Sequence, residues 1–177
     1  MRISVVGTSG SGKTTVAREV AARLDVPFVE LDAIHHQAGW RPLPPDEFRA
    51  RVGEVVAGGA WVVDGNYRVV RDLVWDRATT IVWVDPPRPV VMVQVVGRSV
   101  HRAATGRELW NGNRERWRSW LDDDHPIRWA WSTFDRRRSE YEAEADRRWV
   151  RLRSRRQVRR WLASLGGDGA GAGGRRA

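Results

Sequence analysis

The stretch Gly7-Thr8-Ser9-Gly10-Ser11-Gly12-Lys13-Thr14 constrains this chain more than any other. It matches G-x-x-x-x-G-K-[ST], a loop whose backbone cradles a polyphosphate. Its context matches too. The preceding run, residues 2–6, is short and β-branched, as a buried strand is. The following run, residues 15–24, is apolar at helical spacing. Glycines let the loop approach a phosphate where a Cβ would clash. The loop amides and the positive end of the next helix then face the anion. The expected triphosphate site is therefore Gly7, Thr8, Ser9, Gly10, Ser11, Gly12, Lys13, Thr14 and Thr15. Lys13 would reach the β- and γ-phosphates, and the Thr14 hydroxyl would ligate Mg²⁺.

Lys13 is the only lysine in the chain; every other basic side chain is arginine. A compact, rotatable ammonium fits such a loop and a planar guanidinium fork does not.

The rest of the chain alternates strand and helix. Residues 27–32 read as a second strand that brings Asp32 to the carboxyl edge of a sheet, where ligands bind in open α/β folds. Residues 33–42 read as a polar and aromatic loop facing substrate. A helix from Pro44 carries Phe48, Val52, Val55 and Val56 and ends at Gly58-Gly59. Residues 60–64 form a third strand ending in Asp64, and 68–76 a short helix. Residues 79–85 form a fourth strand. A helix over 88–102 follows, with Val90, Val91, Val93 and Val95 turned inward. Residues 104–126 are polar, hold Trp110, Trp117 and Trp120 and show no period, as expected of a mobile lid. A helix over 127–145, a strand over 149–152 and a helix capped by Ser154 complete the domain. The Gly/Ala-rich residues 166–177 read as a disordered tail. This pattern predicts one domain over 1–165 with a three-layer α/β/α architecture, a five-stranded parallel sheet and a lid. Trp61 and Trp83 belong near its core. Trp40, Trp110, Trp129 and Trp131 either stack on a ligand ring or pack the core and lid.

The 177 residues include no cysteine, which excludes disulfides and thiolate-bound zinc. No apolar run approaches the ~18 residues of a membrane span, and the first strand leaves no room for a signal peptide. A soluble, cytoplasmic protein, monomer or homodimer, is expected. The net charge of +9 fits either sites for phosphorylated ligands or a nucleic-acid surface. The arginine runs over 136–138, 147–148 and 151–160 are interleaved with acids at 135–146, so nucleic acid is not the favoured partner.

Val62-Val63-Asp64-Gly65-Asn66-Tyr67-Arg68 and Val95-Val96-Gly97-Arg98, continuing through His101 to Gly106-Arg107, resemble two segments of the adenylate-kinase-like nucleotide and nucleoside kinases. The resemblance implies ATP as donor, Asp64 on the magnesium side, Arg68 on the acceptor's phosphate and Arg98 as a phosphate clamp. Arg107 and Arg114 are candidates for the same work from the lid. Glu30-Leu31-Asp32, the histidine loop to Trp40, Trp61 to Tyr67, residues 71–75 and Leu109-Trp110-Asn111-Gly112-Asn113-Arg114-Glu115 resemble, more closely, the bacterial DNA topology modulation proteins. Gln94 stands where the adenylate kinases carry an arginine.

These readings make the chain a kinase that transfers the γ-phosphate of ATP, with Mg²⁺, to a nucleotide or nucleoside. The alternatives are another hydroxyl acceptor such as a sugar acid, or a nucleotide-dependent DNA-binding protein. Lys13, Arg98 and Asp32 would be catalytic, with Asp32 orienting or deprotonating an acceptor hydroxyl. Asp32, His35, Asp64, Arg68, Arg107 and Arg114 would line the substrate site, and Thr14 and Asp64 would hold the metal. His36 shares the loop of His35, and Arg71 would bind an anionic acceptor or make a surface salt bridge.

Overall fold

A computed structural model describes residues 1–105, 108–113 and 126–165. Five strands form one parallel sheet: β1 (Arg2–Val6), β2 (Phe28–Glu30), β3 (Trp61–Asp64), β4 (Thr80–Val84) and β5 (Trp149–Leu152). Their spatial order is β2-β3-β1-β4-β5. The loop strand β1 lies at the centre, so the segment after it leaves the middle of the sheet's carboxyl edge. The register sets Val5 beside Asp64, and Asp64 beside Glu30.

The helices are α1 (Lys13–Leu24), α2 (Leu31–His35), α3 (Pro45–Val56), α4 (Arg71–Arg77), α5 (Arg88–Thr105), α6 (Pro126–Glu144) and α7 (Arg155–Ser164). Side chains alternate across each strand, and both faces are buried. On one face Trp61, Val63, Ile81 and Trp83 pack with Phe48 and Val52 of α3, Val74 and Trp75 of α4 and Tyr141 of α6. On the other, Ile3, Val5, Val62, Val82 and Val84 pack with Val16 and Val20 of α1 and Leu162 of α7. Helices on both faces of a parallel sheet make the expected α/β P-loop NTPase fold. Ser154 caps α7, its side chain accepting from the Gln157 amide.

Four expectations change. The second strand stops at Glu30, and Leu31 opens α2. Asp32 therefore sits on a helical turn rather than at a strand end, because Leu31 is drawn into the core at 1% exposure. The 33–42 stretch is not an open loop: α2, a 3-10 turn over Ala38–Trp40 and a bridge between His36 and Pro42 order it. Of the four valines expected inside, only Val91 and Val95 of α5 are buried, whereas Val90 and Val93 are exposed, since 3.6-residue periodicity turns one face inward. In the expected lid, residues 108–113 form a turn packed on α2 and the 38–40 segment. Arg107, Arg114, Trp117, Trp120 and the 166–177 tail lie outside the described residues.

Candidate active site

The glycine loop is shaped by its neighbours. Gly10 and Gly12 take left-handed φ values of 83° and 90°, open to glycine at little cost. A Cβ on Gly10 would lie 2.9 Å from both the Val91 carbonyl oxygen and Val95 Cβ of α5. A Cβ on Gly7 would lie 2.5 Å from Ser11 Oγ and 2.6 Å from the Val84 carbonyl oxygen. The loop is thus pressed against α5 and β4. Thr8 and Ser11 are buried beneath it, and the Ser11 amide donates to the Thr8 carbonyl at 3.1 Å. Gly7, Ser9, Gly10, Gly12, Lys13, Thr14 and Thr15 line the cleft.

That cleft encloses about 1500 Å³. Arg98, on α5, reaches across to the loop, its Nη2 donating to Ser9 Oγ at 2.9 Å. Asp64, at the end of β3, is 2% exposed, and its Oδ1 is buried without a hydrogen-bond partner among the described residues. Burial pushes this carboxyl's pKa up, while the Lys13 charge and the Thr14 hydroxyl pull it down and Asp32 and Glu30 push it up. An orphaned carboxylate oxygen beside a threonine and an ammonium suits a hydrated cation. No group of three metal-ligating His, Cys, Asp or Glu occurs among the described residues.

The opposite wall is built from α2, the segment after β3 and the turn at 108–113. The Tyr67 hydroxyl donates to Asp32 Oδ1 at 2.6 Å and lies 3.4 Å from His36 Nε2. Burial, first, and then the Asp32 charge hold the Tyr67 phenol well above its ordinary range, so it stays a donor. No described residue hydrogen-bonds Asp32 Oδ2, and Asp32 lines the cleft. His35 packs against Phe48 and Tyr67, with centroids 5.0 and 4.6 Å away. Burial and then His36 lower its pKa, against a smaller upward pull from Asp32. His35 is thus a half-buried imidazole that lines the cleft.

Arg68 has an 80% exposed side chain at the cleft rim, 3.7 Å from Glu140. Arg71 is different. Its side chain is 13% exposed, donates to Asn66 Oδ1 at 3.1 Å, pairs with Glu144 at 2.7 Å and Glu140 at 3.5 Å and lies over Trp75. It ties α4 to α6. The sequence reading missed Tyr67, Arg136, Arg137 and Asn113. Tyr67 was legible only as part of a motif, and the arginines belong to a helix whose cleft-facing side the weak periodicity of α6 conceals. Asn113 carries no chemistry of its own. Trp61 and Trp83 are buried as expected; Trp40, Trp129 and Trp131 are exposed.

The model of the ATPase family associated with various cellular activities (AAA) matches residues 3–58, from β1 through α3. A shikimate kinase of Symbiobacterium thermophilum is 30% identical over 122 residues, which cover 58% of this chain and 67% of that protein. A shikimate kinase from Acinetobacter baumannii in complex with shikimate superposes with a TM-score of 0.59 at 16% identity, covering 93% of this chain and 89% of that one. A gluconokinase from Sinorhizobium meliloti 1021 does so with a TM-score of 0.56 at 21% identity, covering 93% of each. No helix among the described residues is long and apolar enough to cross a membrane. A glycine loop between β1 and α1, an orphaned carboxylate beside it and this kinship lead to one assignment: the chain belongs, with the shikimate kinases, to the P-loop kinase family.

Proposed function

We propose that this chain is an ATP-dependent kinase that moves the γ-phosphate of ATP onto a hydroxyl of a small polyhydroxylated acid. The observation that carries this reading is Asp32 on the cleft wall, with Oδ1 engaged by Tyr67 at 2.6 Å and Oδ2 without a hydrogen-bond partner among the described residues. A nucleotide acceptor presents a phosphate oxygen that is already ionised and needs no base. A hydroxyl needs one, and a carboxylate fixed by a phenol supplies it. The kinship with shikimate kinase and the likeness to gluconokinase support the same class of acceptor.

In this reading the loop amides, Lys13 and Arg98 hold the triphosphate, while Thr14 and Asp64 hold Mg²⁺. The bound ion neutralises charge on the β- and γ-phosphates. Asp32 takes the proton as the acceptor oxygen bonds to phosphorus, and ADP leaves toward Lys13. Arg68 and, from α6, Arg136 and Arg137 line the cleft and give an acid's carboxylate a cationic rim. His35 packs behind Asp32 as part of the acceptor wall. Arg107 and Arg114 would join the clamp from the lid. The enzyme would be cytoplasmic, a monomer or homodimer. The likeness to the DNA topology modulation proteins rests on the sequence segments alone.

A nucleoside acceptor is the second reading, favoured by the rings of Trp40, Trp110 and His36 at the cleft, on which a base can stack. The deciding experiment measures ADP release from Mg²⁺·ATP against shikimate, gluconate, adenosine and AMP. Turnover with a hydroxy acid is expected; turnover confined to adenosine or AMP would overturn the proposal.

A further inference from the structure

The turn at 109–113 lies along the cleft and is fastened to the acceptor-side wall by two asparagine side chains. Asn113 is 4% exposed. Its Oδ1 accepts from the Trp40 amide at 2.9 Å, and its Nδ2 donates to the Gln37 carbonyl at 2.9 Å. Its own amide donates to the Trp110 carbonyl at 3.1 Å, and its carbonyl accepts from the Leu109 amide at 2.7 Å. One residue thus closes its own turn and clasps the neighbouring segment. Asn111 adds a second fastening, its Nδ2 donating to the Ala33 carbonyl at 3.2 Å and to the His36 carbonyl. A side-chain amide is donor and acceptor at once, and an ionised carboxylate is not. Trp40 and Asn111 take left-handed φ values of 59° and 54°, which non-glycine residues hold only where their surroundings over-determine them.

What the clasp sets in place is a row of rings. Trp110 lies over His36, with centroids 5.9 Å apart and planes 25° from parallel. Trp40 meets His36 edge-on at 5.5 Å and Trp110 at 6.4 Å. His36 Nε2 is 3.4 Å from the Tyr67 hydroxyl, which donates to Asp32. A continuous path of contacts therefore runs from Asn113 through two tryptophans, His36 and Tyr67 to the carboxylate. The triphosphate half of the cleft, built from the glycine loop, α1 and Arg98, makes no hydrogen bond with Asn113.

We propose that Asn113 is a positioning residue for the acceptor half of the cleft: by locking residues 37–40 to 109–113 it sets Trp40, Trp110 and His36 as one wall facing Asp32. Acceptor binding depends on this clasp and ATP binding does not. The inference rests on the reading that the Asp32 side takes the acceptor, but on no particular acceptor.

The test uses the full chain with Asn113→Ala, Asn113→Asp and Trp110→Ala. With Mg²⁺·ATP and whichever of shikimate, gluconate, adenosine or AMP is turned over best, each variant raises the acceptor KM roughly tenfold, the scale of a lost buried hydrogen-bond pair. The ATP KM stays within about twofold of the parent chain. Asn113→Asp does not rescue, since it sets a carboxylate against the Gln37 carbonyl. Proton NMR of the parent chain and Asn113→Ala reads the clasp without any acceptor: the His36 ring signals move as Trp110 leaves, and those of His101, on α5, stay. An equal rise in both KM values, or no change in acceptor KM, or fixed His36 signals in Asn113→Ala, overturns the proposal. If only a nucleotide is phosphorylated, the hydroxy-acid reading falls while the KM split still judges Asn113.

Discussion

Arg98 and Ser9 lie 89 residues apart in sequence, yet Arg98 Nη2 donates to Ser9 Oγ at 2.9 Å. The contact pins a guanidinium from the middle of α5 to the crown of the glycine loop. Phosphoryl transfer gathers charge there that a planar cation can neutralise. Arg98→Ala should lower kcat at least about 100-fold, with a smaller change in the acceptor KM. Steady-state kinetics at saturating acceptor checks this, and an unchanged kcat would remove Arg98 from the transfer step.

The Lys13 side chain has no hydrogen bond or ion pair with a described residue, and its charge acts on Asp64 without direct contact. Removing it should therefore leave stability nearly untouched while abolishing ATP turnover. Lys13→Ala should unfold within ~0.5 kcal/mol of the parent chain. Normal ADP release from this variant would end the loop mechanism.

Asp32→Asn should cut kcat for a hydroxyl acceptor by about 100- to 10,000-fold and leave the ATP KM in place. Tyr67→Phe should lose the hydrogen bond to Oδ1 and about 1 kcal/mol of stability, with a milder loss of kcat. A hydroxyl acceptor turned over at full rate by Asp32→Asn would contradict the general-base role.

Asp64 gives a pH signature. Its pKa in the folded chain is raised by burial, so the folded state holds the proton more tightly than the unfolded one. That contribution to stability is complete below the unfolded value of about 3.9 and is lost as pH rises through the higher folded pKa. Asp64→Asn carries no such charge. Its stability relative to the parent chain should grow as pH rises from about 4, then level off. Denaturant melts across that window measure the gap. Adding Mg²⁺ and an ATP analogue at pH 7 should stabilise the parent chain more than the variant. A gap that shrinks with rising pH would contradict a carboxyl whose pKa burial has raised.

Asp85 anchors β5 and α6 to the end of β4. It is 7% exposed, accepts from Arg151 Nε at 2.8 Å and pairs with Arg138 at 3.5 Å, while Arg151 also lies 3.8 Å from the Trp83 ring centroid. Asp85→Ala removes their buried anion and leaves the half-exposed Glu142 to pair with both, and should cost roughly 2 kcal/mol. Urea melts test it; a loss below a few tenths would place the pair among exposed, near-neutral ion pairs.

The glycine loop and the fold were legible in the chain itself, because both depend on local rules. A glycine pattern fixes a loop, and 2.0 and 3.6 periodicities fix strands and helices. The run from Arg2 to Thr14 carries strand, loop and helix start within one window, and the single lysine marks the loop. Parallel order then follows from alternation. The acceptor half was not legible. Tyr67 meets Asp32 across 35 positions and Asn113 meets Trp40 across 73, and no periodicity encodes such pairings. Arg71 read as an acceptor-binding cation or one half of a salt bridge until α6 supplied Glu140 and Glu144 as its partners. Val90 and Val93 read as core until α5 turned them outward. Local backbone rules wrote the glycine loop into consecutive residues, whereas the wall facing it exists only where helices and turns distant in sequence are packed side by side.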